Sequence, residues 1–127
     1  MECEIHWGGD PEDVHVVASG RATVDELDAW VQEVLADPRF RPGLRVLVDH
    51  RLADLTGLTP DDLAHRADLL ARDAERIGHH RVAWVATRKV DFGLGRVLDA
   101  LIRDRTRFDT ELFDDVDAAR AWLRGPV

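Results

Sequence analysis

Two short and mostly apolar runs, Leu44–Val48 and Val82–Ala86, are separated by a long segment whose apolar residues recur at helical spacing. A strand that is apolar on both faces is typical of a parallel sheet, because helices cover such a sheet on both sides. A helix between two such strands forms a right-handed crossover and leaves the strands parallel. The chain is therefore predicted to be an α/β protein built around these two strands.

The remaining strands extend this central pair. Glu4–Trp7 and Val14–Ser19 flank a turn sequence, Gly8-Gly9-Asp10-Pro11, and are predicted to form an antiparallel hairpin. A last short strand is predicted at Thr110–Phe113. With four helices, the predicted order is β-β-α-β-α-β-α-β-α, a mixed and mostly parallel sheet flanked by helices. No linker or repeat interrupts it, so residues 1–127 are expected to form a single domain.

Each predicted helix has a polar residue at its start and one apolar face. The first helix follows Thr23, the second spans Thr59–Gly78, and Asp91 and Asp115 are the predicted N-caps of the third and fourth. The positions expected to be buried are Leu27, Trp30, Val31, Val34, Leu35, Leu63, Ala67, Leu70, Ala74, Ile77, Leu94, Val97, Leu98, Leu101, Ile102, Val116, Ala119, Trp122 and Leu123.

Charge narrows the range of partners. The net charge of −8 argues against nucleic acid and against an anionic membrane surface. The four tryptophans lie in separate elements, as packing anchors do, and do not form a platform for stacking bases. Between residues 81 and 107, however, seven basic residues outnumber three acidic ones. This region is interpreted either as solvated helix faces or as a surface for an anion or an acidic partner.

Cys3 is the single cysteine of the sequence, which excludes an intramolecular disulfide and a cysteine-cluster metal site. The adjacent histidines His79 and His80 diverge and have no third ligand at a familiar spacing, so they are expected to form a surface turn. No metal or other cofactor is expected. The sequence shows neither a signal-peptide pattern nor an apolar run of transmembrane length, and a cytoplasmic location is predicted.

A polar cluster directly follows the strand Leu44–Val48, and basic residues follow the strand Val82–Ala86. In open α/β sheets, ligands and partners bind at the carboxyl ends of the strands, so the functional site is expected there. We call this predicted site the strand-end rim. Its members are Asp49, His50, Arg51, Asp54, Thr56, Arg88, Lys89 and Arg96.

Catalysis at this rim would depend on His50, with Asp49 orienting the imidazole, as in a small hydrolase or isomerase. Adjacent residues of a strand point to opposite faces, however, so these two side chains are poorly placed to bond each other. Asp49 is instead expected to accept backbone N–H groups, and Arg51 is expected to pair with Asp54. No nucleophile–base arrangement and no phosphate-binding loop can be assembled, so no catalytic residue and no enzymatic activity are predicted.

Three stretches carry a family resemblance: Asp37–Asp49, Phe92–Arg96 and Phe113–Leu123. They resemble the small bacterial SpoIIAA-like proteins, which are distant relatives of the STAS domains of anti-sigma-factor antagonists. The resemblance covers nearly the whole chain. It implies a mixed sheet flanked by helices, and a non-enzymatic role in regulation, protein binding or ligand sensing.

The resemblance also identifies where the STAS regulatory switch would lie. In STAS domains a partner kinase phosphorylates a serine that follows an aspartate at the start of a helix. The corresponding stretch here is Asp54-Leu55-Thr56-Gly57-Leu58, in which Leu55 occupies the acceptor position and has no hydroxyl. Phosphorylation by that route is not expected. Thr56 is the neighbouring hydroxyl, and Thr56-Gly57 is interpreted as a turn.

Two functions follow from these expectations. The first is a protein-interaction module, presenting the strand-end rim or the basic third helix to a protein partner or, through a sheet edge, to a second copy in a homodimer. The alternative is a domain that binds a small anionic or amphipathic ligand. Arg88, Lys89 and Arg96 would then hold the charge, while Leu55 and Phe92 would contact the apolar body.

Overall fold

A computed structural model describes residues 1–125 as a five-stranded sheet with helices on both faces. The strands lie side by side in chain order, with β1 antiparallel to β2 and all other neighbours parallel. The predicted mixed, mostly parallel sheet is confirmed. The elements are β1 (Glu2–Trp7), β2 (Val14–Arg21), α1 (Val24–Ala36), β3 (Arg45–Asp54), α2 (Pro60–Arg72), α3 (Ala74–Ile77), β4 (Arg81–Val85), α4 (Lys89–Arg105), β5 (Asp109–Phe113) and α5 (Val116–Arg124).

Alternate residues of the central strands belong to two separate cores, because successive side chains of a strand point to opposite faces. On one face, Val46 and Val48 of β3 pack in a large core with the apolar sides of α1, α2 and α4. On the other face, Leu47 packs with Ala119 and Leu123 of α5 in a smaller core. The sheet is therefore the middle layer of three, which is the arrangement that an apolar central strand requires.

The strand predicted at Leu44–Val48 is longer than expected, since β3 continues to Asp54. The polar cluster at 49–51 therefore lies within the strand and not in a loop after it. The physical reason is that β2 also runs past its predicted end at Ser19. Its last residues give β3 a partner, with Ser19 opposite Leu52 and Arg21 opposite Asp54. Backbone hydrogen bonds to β2 hold this polar part of β3 in the sheet, although its side chains are not those of a typical buried strand.

The single helix predicted at Thr59–Gly78 is two helices, α2 and α3, separated at Asp73. The Asp73 carboxylate accepts hydrogen bonds from Gln32 and Arg72, and its backbone ψ of 3° interrupts the helix. Aspartate has a lower intrinsic helix propensity than alanine, leucine or arginine, which favours a break at this position.

Three predicted N-caps are confirmed and one is wrong. The side chains of Thr23, Thr59 and Asp115 each accept a hydrogen bond from a backbone N–H in the first turn of α1, α2 and α5. Asp91 does not cap α4, because that helix begins two residues earlier, at Lys89. Val97, predicted to be buried on the same helix, is 51% exposed, since no described element covers that side of α4.

Candidate functional site

The parallel strands bring three residues of the strand-end rim together. Arg88 Nη2 lies 3.3 Å from Asp54 Oδ1, and the same carboxylate oxygen accepts hydrogen bonds from the backbone and hydroxyl of Thr56. Arg88 Nε also donates to Asp91, whose second oxygen accepts the backbone N–H of Leu55 at 2.9 Å. The cation at this point is therefore neutralised by two carboxylates of the protein itself.

Asp91 is the polar residue that sequence reasoning placed in the wrong role. It is only 1% exposed, and it joins the first turn of α4 to the segment that follows β3. A carboxylate buried to this degree is normally paired, and here both oxygens are occupied. Its role is to fix the geometry of the rim.

Asp49 and Arg51 form a second unit of the rim. Arg51 Nη2 lies 2.7 Å from Asp49 Oδ2, and the Arg51 backbone N–H donates to Asp49 Oδ1 at 3.0 Å. Burial acts to raise the pKa of Asp49, but the hydrogen bonds from Arg51 outweigh it and hold the pKa below its usual value. The predicted pairing of Arg51 with Asp54 is wrong, because Arg51 turns back to Asp49.

His50 points to the opposite face from Asp49, as strand alternation predicts. It is 4% exposed, its ring centroid lies 5.8 Å from that of Trp84, and no hydrogen bond joins it to a carboxylate among residues 1–125. Burial, and to a smaller degree the positive charge of Arg66, lower the pKa of His50 to about 4. This histidine is therefore neutral near pH 7 and buried beside Trp84, away from the exposed side chains of the rim.

Lys89 and Arg96 are the rim cations that stay exposed and form no ion pair within residues 1–125. They lie on α4 seven residues apart, as do Val90 and Val97, which are 52% and 51% exposed. Residues seven apart lie on the same side of a helix, so cations and valines form two adjacent rows. We call this surface the α4 face; its exposed members are Lys89, Val90, Gly93, Arg96, Val97 and Ala100.

Sequence reasoning missed a cavity of about 30 Å³ on the other side of the domain, between the sheet and its helices. Phe40, His80 and Phe108 are among its lining residues, and each precedes one of the strands β3, β4 and β5. The cavity therefore lies toward the amino ends of the strands, whereas the rim lies at their carboxyl ends. Its walls are almost entirely apolar.

One charged side chain lines this cavity. Arg66 is 1% exposed, and its guanidinium carbon lies 5.6 Å from the centroid of the Trp30 ring. No atom of residues 1–125 accepts a hydrogen bond from its Nε, Nη1 or Nη2. Burial lowers the pKa of Arg66 to about 10, so that the side chain remains positively charged at pH 7.

The sequence contains a pattern that indicates the burial of Arg66. Arg66 lies three positions after Leu63 and four before Leu70, so it occupies the buried stripe of α2 beside Ala67. An arginine at such a position is rarely buried without a partner. His80, expected in a surface turn, is half-buried beside it, and burial lowers the pKa of its ring to about 4.

Two further properties of residues 1–125 bear on the class of protein. No group of three or more histidine, cysteine, aspartate or glutamate side chains there is arranged to hold a metal ion. No helix in that range is both long enough and apolar enough to cross a bilayer.

The fold is SpoIIAA-like. The chain is similar to an uncharacterised protein of the DUF3478 family from Shewanella loihica PV-4, whose crystal structure has a SpoIIAA-like fold. The TM-score is 0.60 and the sequence identity 19%, over 96% of this chain and 92% of that one. At this identity the likeness concerns the fold alone, and it confirms the fold that the sequence resemblance implies. No protein-family model and no curated protein sequence matches the chain.

Proposed function

We propose that this protein is a non-catalytic regulatory module whose α4 face binds an acidic amphipathic helix of a partner protein. The observation that carries the proposal is the pair of rows on α4, in which Lys89 and Arg96 lie beside the exposed Val90 and Val97. The SpoIIAA-like fold supports a regulatory or interaction role at the level of the fold.

The spacing of the two rows defines the partner. Seven residues advance a helix by about 10 Å, which is two turns. A partner helix with leucine at every seventh position would place successive leucines on Val90 and Val97, as in helix-in-groove recognition. Glutamates beside those leucines would meet Lys89 and Arg96. This charge complementarity would fix the orientation of the partner helix and raise the rate of association.

A groove beside α4 extends this surface toward the edge strand β5. Its volume is about 370 Å³, and Phe92, Arg96, Ala100 and Leu112 are among its lining residues. Apolar side chains thus continue from the α4 face into a concave surface, which Asp99 and Glu111 also line, each paired with Arg103. A partner side chain adjacent to the docked helix would fit there.

The other members of the rim favour a non-catalytic role. Arg88 is held by Asp54 and Asp91, Asp49 is held by Arg51, and His50 is buried. For the same reason we do not propose that Arg88 captures a small anion at the rim. The single cysteine of the chain supports a cytoplasmic setting for the module, since thiols stay reduced there.

The proposal is tested with a synthetic helix that carries leucine at every seventh position and glutamate beside it. We expect this peptide to bind the wild-type protein in a fluorescence anisotropy titration, and the same peptide with lysine in place of glutamate not to bind. The double variant K89E/R96E should bind the acidic peptide at least about tenfold more weakly. R107E/R124E, which reverses two exposed arginines away from the α4 face, is the matched control and should bind as wild type does.

Four results would contradict the proposal. Equal binding of the acidic and basic peptides would show that the rows do not select charge, and full binding by K89E/R96E would place the contact elsewhere. Self-association in sedimentation experiments that K89E/R96E abolishes would identify the occupant as a second copy, in a homodimer. Adsorption of the wild-type protein to anionic phospholipid vesicles would identify a membrane surface instead.

A further inference from the structure

Arg66 presents an unsatisfied positive charge inside the core. Its guanidinium is planar and carries five N–H donors in a fixed fork. None of these donors meets an acceptor in the part of the chain that the structure describes. Asp28 is the acidic residue whose charge most raises the pKa of Arg66, but its carboxylate bonds Gln32 and lies 3.6 Å from Arg72. A buried ion normally has a partner, because the cost of removing it from water is several kcal/mol.

The cavity beside Arg66 gathers further nitrogen atoms without partners. Trp30 Nε1, Trp84 Nε1 and His80 Nδ1 are buried and have no hydrogen-bond partner among the described residues. All three belong to residues that line the same cavity. An indole N–H is a donor only. No aspartate or glutamate is among the lining residues. The site therefore combines one positive charge with several donors and contains no competing carboxylate.

We propose that this cavity binds a small monocarboxylate, with its carboxylate on the Arg66 guanidinium and its hydrocarbon part against the apolar walls. A carboxylate matches the arginine fork with two parallel hydrogen bonds. One arginine balances one negative charge, which favours a monocarboxylate over a phosphate. The volume of about 30 Å³ is about that of one water molecule in the liquid, so even acetate would have to displace lining side chains such as the half-buried Phe40. A long acyl chain is excluded.

This inference is independent of the proposed function, because the cavity and the α4 face lie on different parts of the domain. The half-buried Phe40 and His80 belong to the cavity lining and also contact solvent, so the ligand would enter past them.

The four tryptophans make the test specific. Trp30 and Trp84 line the cavity, whereas Trp7 and Trp122 do not and instead stack with Arg39 and Arg81. We expect sodium acetate and sodium propionate, at fixed pH and ionic strength, to shift the ¹H–¹⁵N indole resonances of Trp30 and Trp84 saturably. The resonances of Trp7 and Trp122 should stay in place.

Two variants complete this titration. R66M, which removes the charge at similar volume, should weaken the response of Trp30 and Trp84 at least about tenfold. R72M, on the exposed side of the same helix, is the matched control and should respond as wild type does. Equal shifts of all four tryptophans, an unchanged response in R66M, or no saturable shift would overturn the proposal. So would equal saturation by sodium chloride, which would show a site for any small anion.

Discussion

The guanidinium carbon of Arg66 lies 5.6 Å from the centroid of the Trp30 ring, in a core where its three nitrogens meet no acceptor from residues 1–125. A desolvated cation–π contact of this kind contributes about 2 kcal/mol. That is less than the several kcal/mol that burial of an ion costs. The free protein therefore retains an uncompensated charge, as sites kept for binding at the expense of stability do.

This imbalance predicts that removal of the charge stabilises the free protein. R66M should raise the free energy of unfolding by about 1–4 kcal/mol in carboxylate-free buffer, because methionine fills similar volume and needs no partner. Urea denaturation monitored by tryptophan fluorescence measures this change. R72M should change stability by less than about 1 kcal/mol, since Arg72 is exposed and forms surface ion pairs. A destabilised R66M would indicate a partner for Arg66 within the fold.

Removal of the buried Asp91 carboxylate, in contrast to removal of the Arg66 charge, is predicted to destabilise the protein. D91A should lower the free energy of unfolding by about 1–3 kcal/mol, because the buried backbone N–H of Leu55 then loses its acceptor. D91N keeps one carbonyl oxygen and should be less destabilising. D104A replaces an exposed aspartate of the same helix and should change stability by less than about 0.5 kcal/mol. If D91A unfolds at the same urea concentration as D104A, the bond between Asp91 and Leu55 does not stabilise the fold.

Burial of His50 predicts a pH dependence. The pKa of His50 is about 4 in the fold and about 6.5 in the unfolded chain. Between these values the unfolded chain binds the proton that the folded one excludes, so stability falls as pH decreases from 6.5 to 4. The stability linked to the neutral His50 is fully present above pH 6.5, the pKa in the unfolded chain, and is lost below pH 4, the pKa in the folded protein.

The variant H50L isolates this effect. Its stability should fall less than that of wild type between pH 6.5 and 4, by a difference of up to about 3 kcal/mol. Urea denaturation at a series of pH values measures this difference. H65L removes an exposed histidine and should keep the wild-type pH slope. A wild-type slope in H50L would mean that His50 is solvated in the folded protein.

The sheet could be predicted because short stretches of sequence determine where its strands and the flanking helices form. Apolar runs such as Val82–Ala86 and polar caps such as Thr59 mark strands and helices through short-range physics, and crossover handedness then fixes the parallel order. The length of β3 was not predictable in this way. Its polar end is held by backbone bonds to β2, a long-range partner that hydrophobic patterning does not reveal.

The placement of charged groups was predictable only in part. The sequence placed Arg88 and Asp54 in one rim, but it paired Asp54 with Arg51 and gave no sign of the contact with Arg88. The pairing of Arg88 with Asp91 depends on where α4 begins. Arg66 was missed because arginine normally belongs on the solvent side of a helix, and composition gives no reason to expect otherwise. Its place within the apolar stripe of Leu63 and Leu70 was the available signal.

The most direct test of the buried charge is a crystal structure of the protein grown with propionate and without halide salts. We predict planar density for a carboxylate beside Arg66, with its two oxygens about 2.7–2.9 Å from guanidinium nitrogens. The hydrocarbon part should lie against the apolar walls. Arg66 nitrogens bonded to a protein carbonyl or carboxylate, or to water alone, would contradict the account.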